Sequence, residues 1–533
     1  MSDPVAVKIM KTYDERLAKY GGSQRKLAQA LGIPRTTLQE WLKRKEEILF
    51  SAKAPLPKII YAVPKRATKR WIFTAAQDET RVHLPFLRNL QAYAEYWDAE
   101  LIVGGFTYNK RLYEDHRKQL ATFAPEVRHL MSHRRIDLGD TLTACLEMNT
   151  LPTAVSPLSG FEVYTRERSG IFPHAKVQLV AVPVSRGSAP KHLITTGAVT
   201  VANYIQKRAG IRAHFHHVIG AVIVEIDQEG NHFLRHLIAE EETGNFQDLT
   251  RYVHDGVIVE GMAIESITHG DIHLEKLDPL IARGTWGIDP VTCAPISDYW
   301  IERSLVHTLK PRYQFIHDAT DFMSRNHHNV KNPHFKFRMW LDGTESVQDS
   351  MEHVGKFLKA IKYPDAQTVV VRSNHDAAIE RWLREADWKD DMVNSECYLR
   401  TQLAMLESMR QRGGREFCAL EWAVRQNGDP EAYFLREDES FLVGGVEQGC
   451  HGHLGANGSK GSLVQYTRAG PKSNTAHRHS PGIIDGAYCA GTKGYLYQDW
   501  NKGLSSWAHS DIVQYPNGTR TIVTMTPDGL WHG

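Results

Sequence analysis

What this sequence lacks narrows its class first. Its six cysteines (Cys145, Cys293, Cys397, Cys418, Cys450 and Cys489) are scattered, and no two form a C-x-x-C pair. That spacing excludes a zinc ribbon and does not describe a disulfide framework, so small buried thiols in a reducing compartment are expected. No apolar run reaches the ~18 residues needed to span a bilayer. The charged opening MSDPVAVKIMKTYDERLAKY is not a secretory signal. A soluble, cytoplasmic protein with no membrane partner is expected. A charge excess of one sign is missing too: the net charge is +2, so global electrostatics do not single out a nucleic-acid binder. There is no internal repeat and no low-complexity tract.

What is present is 533 residues, 42% hydrophobic and 24% charged, enough for two to four domains at roughly 150 residues each. There are also 27 histidines, many of them clustered: HFHH, HGDIH, NHH, HGH and HRH. Neutral imidazole is a common metal ligand.

The first region, residues 1–50, contains GGSQRKLAQALGIPRTTLQEWLKRK. Ser23 can cap a first helix with Leu27 and Ala28 inward, Gly32 makes a turn, and Pro34 opens a second helix bearing Leu38, Trp41 and Leu42 at helical spacing. This is a helix-turn-helix pattern, in which the second helix can enter the major groove of DNA and expose Arg35, Thr36, Thr37, Gln39 and Lys43. A helical hairpin used only for packing is the alternative. A linker with Pro55, Pro57 and Pro64 follows. Residues 65–250 then read as an α/β accessory domain: RWIFTAAQ as strand, LPFLRNLQAYAEYW as amphipathic helix, ELIVGGF as strand, continuing through VQLVAVPVS and HVIGAVIVEID. His214, His216 and His217 read as a polar loop before a strand rather than as a metal or phosphate site.

From residue 251 to the end, five short motifs occur in order. Asp271-Ile-His273 follows the apolar run GVIVEGMAIE, read as a strand whose end would project both side chains to one side. His317-Asp318-Ala-Thr-Asp321 follows YQFI, and Ser373-Asn374-His375-Asp376 follows TVVVR. GCHGH holds His451 and His453, and TAHRH holds His477 and His479. Each motif places oxygen or nitrogen ligands at or beyond a strand end, where α/β folds gather their sites.

This ordered set resembles the calcineurin-like metallophosphoesterase superfamily, whose pattern is D-x-H, G-D-x-x-D, G-N-H-D, a lone His and G-H-x-H. The resemblance covers about half the chain and implies a four-layer αββα sandwich over residues 251–533 holding two divalent cations. One would be held by Asp271, His273, Asp318 and His479. The other would be held by Asp318, Asn374, His451 and His477, with Asp318 bridging and His451 chosen over His453. His375 would face the substrate and assist the leaving oxygen, oriented by Asp376. His317, Ser373 and Ala476 stand where the family pattern has glycine, which puts the loop geometry in question. A site of hard oxygen and imidazole ligands without thiolate suits Mn²⁺, with Mg²⁺, Fe or Zn²⁺ as alternatives.

A hydroxide activated by two metals would then hydrolyse a phosphodiester. The appended helix-turn-helix tilts the substrate toward DNA, as do Lys331, Lys336, Arg338, Lys460, Arg468 and Lys472 near the motifs. The chain is also similar to the DNA-transfer and host-DNA-degradation nucleases of tailed phages, in IFPHAKVQLV, LITTGAVTVANY and HFHHVIGAVIVEI. That implies a homo-oligomeric DNase in an infected bacterial cytoplasm. The alternatives are a nucleotide phosphatase or phosphodiesterase, and a DNA-binding regulator with an inactive phosphoesterase domain.

Overall fold

The computed structural model describes residues 9–10, 12–43, 45, 69–108, 122–411, 414–498 and 501–533. The linker prolines, and residues 1–8, 11, 44 and 46–50 of the first region, lie outside the described residues. Within that region the helices Tyr13–Lys19, Gln24–Leu31 and Arg35–Lys43 form as the sequence pattern requires. Ser23 caps the second helix by accepting the Lys26 N–H, and Gly32 ends it at φ +66°, where a residue without Cβ is unstrained. Leu27, Ala28 and Leu38 are buried together with Tyr13 in a small core.

The strand–helix–strand unit is confirmed as Lys69–Gln77, Leu84–Trp97 and Glu100–Phe106, and the two strands pair in parallel. They belong to a four-stranded sheet completed by Gly220–Ile226 and His232–Ile238.

Two larger sheets build the rest of the mixed α/β structure. The six-stranded sheet runs Tyr433–Phe434, Gln367–Val370, Pro311–Ile316, Ile264–Thr268, Ser510–Gln514, Arg520–Thr524. Its first four strands are parallel, so their carboxyl ends share one edge. Helices including Val347–Ala360, Ala378–Glu385 and Ala419–Gln426 cover one face, through a core that joins Phe357, Ile379 and Val424 to Ile267, Ile316 and Val370. The opposite face meets the ten-stranded sheet. Ile512 and Ile522 pack with Ile483 and Tyr488, and Thr268 Oγ1 donates to Gln448 Oε1 at 2.9 Å while accepting from Asn474 Nδ2 at 3.1 Å.

The ten-stranded sheet takes five strands from residues 135–195 and five from 442–489. The sequence division at 250/251 therefore runs through a shared sheet. The run GVIVEGMAIE is also not one strand. Gly261, at φ +78°, separates Val257–Glu260, in a three-stranded sheet, from Ile264–Thr268 in the six-stranded one.

Candidate metal centre

The parallel strands deliver the motifs to one edge. Thr268, Ile316 and Val370 end their strands just before Asp271, Asp318 and Asn374. On the facing sheet, Val446–Glu447 and Lys472–Thr475 also run parallel and end just before His451 and His477. Main-chain bonds lock these loops together: His273 N–H donates to Asp318 O at 2.7 Å, Asp271 N–H to Gly491 O at 3.2 Å, and Ala476 N–H to His451 O at 2.8 Å. Gly270 makes the approach possible, since a Cβ there would lie 2.7 Å from the Gly491 carbonyl.

Asp271 and His273 do not project from a strand by two-residue alternation. Both lie beyond Thr268, and His273 takes φ +46° before a short 3₁₀ turn, Leu274–Lys276. Asp318, His477 and His479 also have positive φ, at +46°, +68° and +56°. Left-handed backbone at non-glycine residues costs energy and concentrates at functional sites. Here it turns the ligands after His317 and Ala476 inward without glycine at those two positions.

Asp271, His273, Asp318 and His479 are all buried, with one ligand atom from each lying within 4.8 Å of the others. His479 Nε2 is 3.0 Å from Asp271 Oδ2 and 3.1 Å from His273 Nε2. Asp318 Oδ2 is approached by His273 Nε2 at 3.5 Å and His451 Nε2 at 3.4 Å, and neither Asp318 oxygen accepts a well-formed hydrogen bond. A buried carboxylate left so poorly satisfied is costly unless a cation compensates it. This buried Asp/His cluster can therefore hold a metal ion.

The other residues named from the sequence are placed as follows. His451 is buried and its Nδ1 lies 3.8 Å from Asp271 Oδ1, whereas His453 is half-buried, with its ring 5.4 Å from that of His451. His477 is half-buried; its N–H donates to Asp271 Oδ1 at 3.1 Å and its ring lies 5.1 Å from that of His451. Asn374 Oδ1 is buried without a hydrogen-bond partner. His375 packs its ring 4.5 Å from that of His273.

Asp376 does not orient His375. It accepts the Thr320 N–H at 3.1 Å, while His375 Nδ1 lies 3.3 Å from Asp321 Oδ1. The helical turn after Ser373 carries Asp376 to the neighbouring loop. Asp321, in the quoted second motif but given no role there, is the carboxylate that meets His375, His273 Nδ1 at 3.2 Å and Lys276 Nζ at 2.7 Å. The trio His273, Asp321 and His375 is a second cluster of metal-ligand type. Only its spacing, three residues after Asp318, could have pointed to it. His317, read as a glycine replacement, is buried with Nδ1 3.2 Å from His451 Nδ1.

The electrostatics follow from this packing. Burial pushes Asp318 and Asp321 toward protonation, but the surrounding imidazoles outweigh it and hold both well below the usual carboxylate range. Burial opposes a charge on His375, yet Asp318 and Asp321 raise it to about 10. Burial, reinforced by Asp318, lifts Asp376 to about 6. Beside His451 opens a cavity of about 500 Å³ edged by Glu437, Asp438, Glu439 and Glu447, with Arg468 also in its wall.

On the first region, Arg35, Thr36 and Lys43 are exposed and Thr37 and Gln39 half-buried on the helix Arg35–Lys43. No helix among the described residues is long and apolar enough to cross a membrane.

Comparison with known proteins agrees with parts of this reading. The sequence profile of the CENP-B N-terminal DNA-binding domain matches residues 8–52, so an N-terminal DNA-binding domain is present. The chain is 37% identical over 470 residues to Protein A1 of Escherichia phage T5, an alignment that covers 85% of this chain and 81% of that protein. No solved structure matches it.

Proposed function

The chain belongs to the family of Protein A1 of Escherichia phage T5, and on that premise we propose that it is a metal-dependent deoxyribonuclease of the calcineurin-like metallophosphoesterase type, serving host-DNA degradation or DNA transfer in the infected bacterial cytoplasm. The observation that carries the reading is the buried Asp271/His273/Asp318/His479 cluster, with Asp318 unsatisfied, in a chain that also has a DNA-binding domain. Helices on one face of the six-stranded sheet and a second sheet on the other support the αββα sandwich. The homo-oligomer is part of the same proposal.

Asp271, His273, Asp318 and His479 would hold one divalent cation, and Asp318, Asn374, His451 and His477 the other, with Mn²⁺ favoured by the oxygen and imidazole donors. When bound, such ions neutralise phosphate charge and acidify water. The chain's own residues supply the rest. The left-handed turns hold the donors in place before substrate arrives. His375, held by Asp321 and partly exposed at the cluster's rim, can present a proton to a leaving alkoxide. The N-terminal domain retains the duplex near the centre and raises its local concentration.

One observation favours a second reading, a phosphodiesterase acting on small nucleotides. The cavity beside His451 has single-nucleotide dimensions, and its four carboxylates oppose a long polyanion. Incubating the purified protein with plasmid DNA and with bis-(p-nitrophenyl) phosphate, with Mn²⁺ or with chelator, separates the readings. Metal-dependent degradation of plasmid supports the nuclease; turnover of the small ester alone supports the second reading. Absence of both activities would falsify the enzymatic proposal.

A further inference from the structure

Away from the metal centre, the segment AHFHH contributes Ala213 and His216 to the wall of a second cavity. It does not form a loop: residues Arg208–Phe215 are helical, and only His216 and His217 lie in the turn that follows. Gly210 lets this helix pack tightly, because a Cβ there would lie 1.8 Å from Ile205 O. Between the helix and the loop at residues 152–155 is a cavity of about 330 Å³, at the small end of the range of ~300–1,000 Å³ for ligand pockets.

Its walls are fixed by buried polar contacts. Lys176 Nζ donates to Val155 O at 2.6 Å and pairs with Asp485 Oδ1 at 2.6 Å, so its charge is compensated. His174 Nε2 lies 3.2 Å from Leu151 O and steadies the same loop. Tyr204 Oη is 2.7 Å from His217 Nδ1, whose Nε2 is 2.9 Å from Thr200 O, which holds the Tyr204 ring in place as a wall. Arg208 and Arg212 differ from these groups. They sit one helical turn apart, are exposed, line the cavity, and have no carboxylate partner among the described residues.

Two unpaired guanidinium forks at the mouth of a cavity with a rigid aromatic wall suit a phosphate attached to an organic group. We propose that this cavity is a nucleotide-phosphate site separate from the metal centre. Arg208 and Arg212 take the phosphate, and the lining formed by Tyr204 and Val155 takes the sugar and base. A DNA strand and a free mononucleotide offer the same chemistry. The site is read by binding alone, so its failure would leave metal-dependent hydrolysis as a separate question.

The test uses the full-length protein in chelator, so that nothing is hydrolysed. It is titrated calorimetrically with thymidine 5′-monophosphate, inorganic phosphate and a short oligothymidylate. The Arg208→Glu/Arg212→Glu variant should bind the nucleotide ligand about 100-fold more weakly than the unaltered chain, the loss expected for two charge-assisted contacts. Arg208→Lys/Arg212→Lys should retain part of the affinity, and Asp318→Ala should retain all of it. An unchanged melting curve shows that the charge-reversed variant is folded. If the arginine-dependent affinity is greater for the oligonucleotide, the source is a strand; if greater for the monophosphate, it is a free nucleotide. Equal binding by the unaltered and charge-reversed chains, or inorganic phosphate bound as tightly as the monophosphate, would overturn the proposal.

Discussion

His375 and Asp321 face each other across the rim of the buried cluster, with Nδ1 3.3 Å from Oδ1. The same Asp321 oxygen lies 3.2 Å from His273 Nδ1. One carboxylate thus lies beside both a candidate metal ligand and the candidate proton donor; His375 Nδ1 is also 3.3 Å from the Asp321 main-chain carbonyl, whereas His273 Nδ1 makes no well-formed hydrogen bond. Carboxylates behind imidazole ligands fix the tautomer and the ring orientation.

Asp321 is accordingly a positioning residue. Asp321→Asn should lower kcat on a small phosphodiester by about 10–100-fold, with KM little changed, and Asp321→Glu should recover part of the loss. Steady-state kinetics check this; unchanged kcat in the asparagine variant would show that the contact does not matter.

Metal should stabilise the fold. Asp271, Asp318 and Asp321 are buried carboxylates in one pocket, and a cation that binds only the folded state raises the melting temperature. Mn²⁺ should therefore shift the thermal transition upward relative to chelator. Asp318→Ala should abolish both that shift and cleavage, while melting no lower than the unaltered chain in chelator. Differential scanning calorimetry across a metal titration would expose the error if the variant still responded.

Stability should fall with acid even without metal. Burial lowers His174, His232, His236 and His509 from 6.5 to about 4. These histidines are neutral in the folded chain, but when unfolded they charge near their ordinary pKa. Between the two values the unfolded chain binds more protons, so their contribution is complete above about 6.5 and is lost as the pH falls toward 4. Urea midpoints recorded across that window in chelator should decrease steadily; a flat profile would contradict the burial of these rings.

DNA affinity should depend on the exposed cations of the helix Arg35–Lys43. Replacing Arg35 and Lys43 by alanine should weaken duplex binding and reduce the slope of log affinity against log salt by about 1–2. It should leave hydrolysis of a small ester intact. Fluorescence anisotropy over a salt series decides; an unaltered slope would place the DNA contacts elsewhere.

Much of the centre was legible in the chain order of its motifs. Asp271, His273, Asp318 and His479 meet as a cluster because each follows a short β-rich segment: the first three follow parallel strands of the six-stranded sheet and His479 follows a strand of the facing ten-stranded sheet, and the two sets of strand ends meet. The partners behind them were not legible. Asp321 reaches His375, and Asp376 does not, because the turn after Ser373 and the positive φ of Asp318 redirect the chain by single residues. Such steps leave no periodic signature.

Local composition alone determined the N-terminal helices, the first strand–helix–strand unit and the identity of the ligand-bearing loops, since capping, turn and apolar spacing act over a few residues. Tertiary structure decided what long-range pairing controls. It put strands from residues 135–195 and 442–489 in one sheet, turned the AHFHH segment into a cavity wall, and set Asp321 behind two histidines. Contacts between residues hundreds of positions apart depend on which surfaces bury each other, and no short stretch of sequence records that choice.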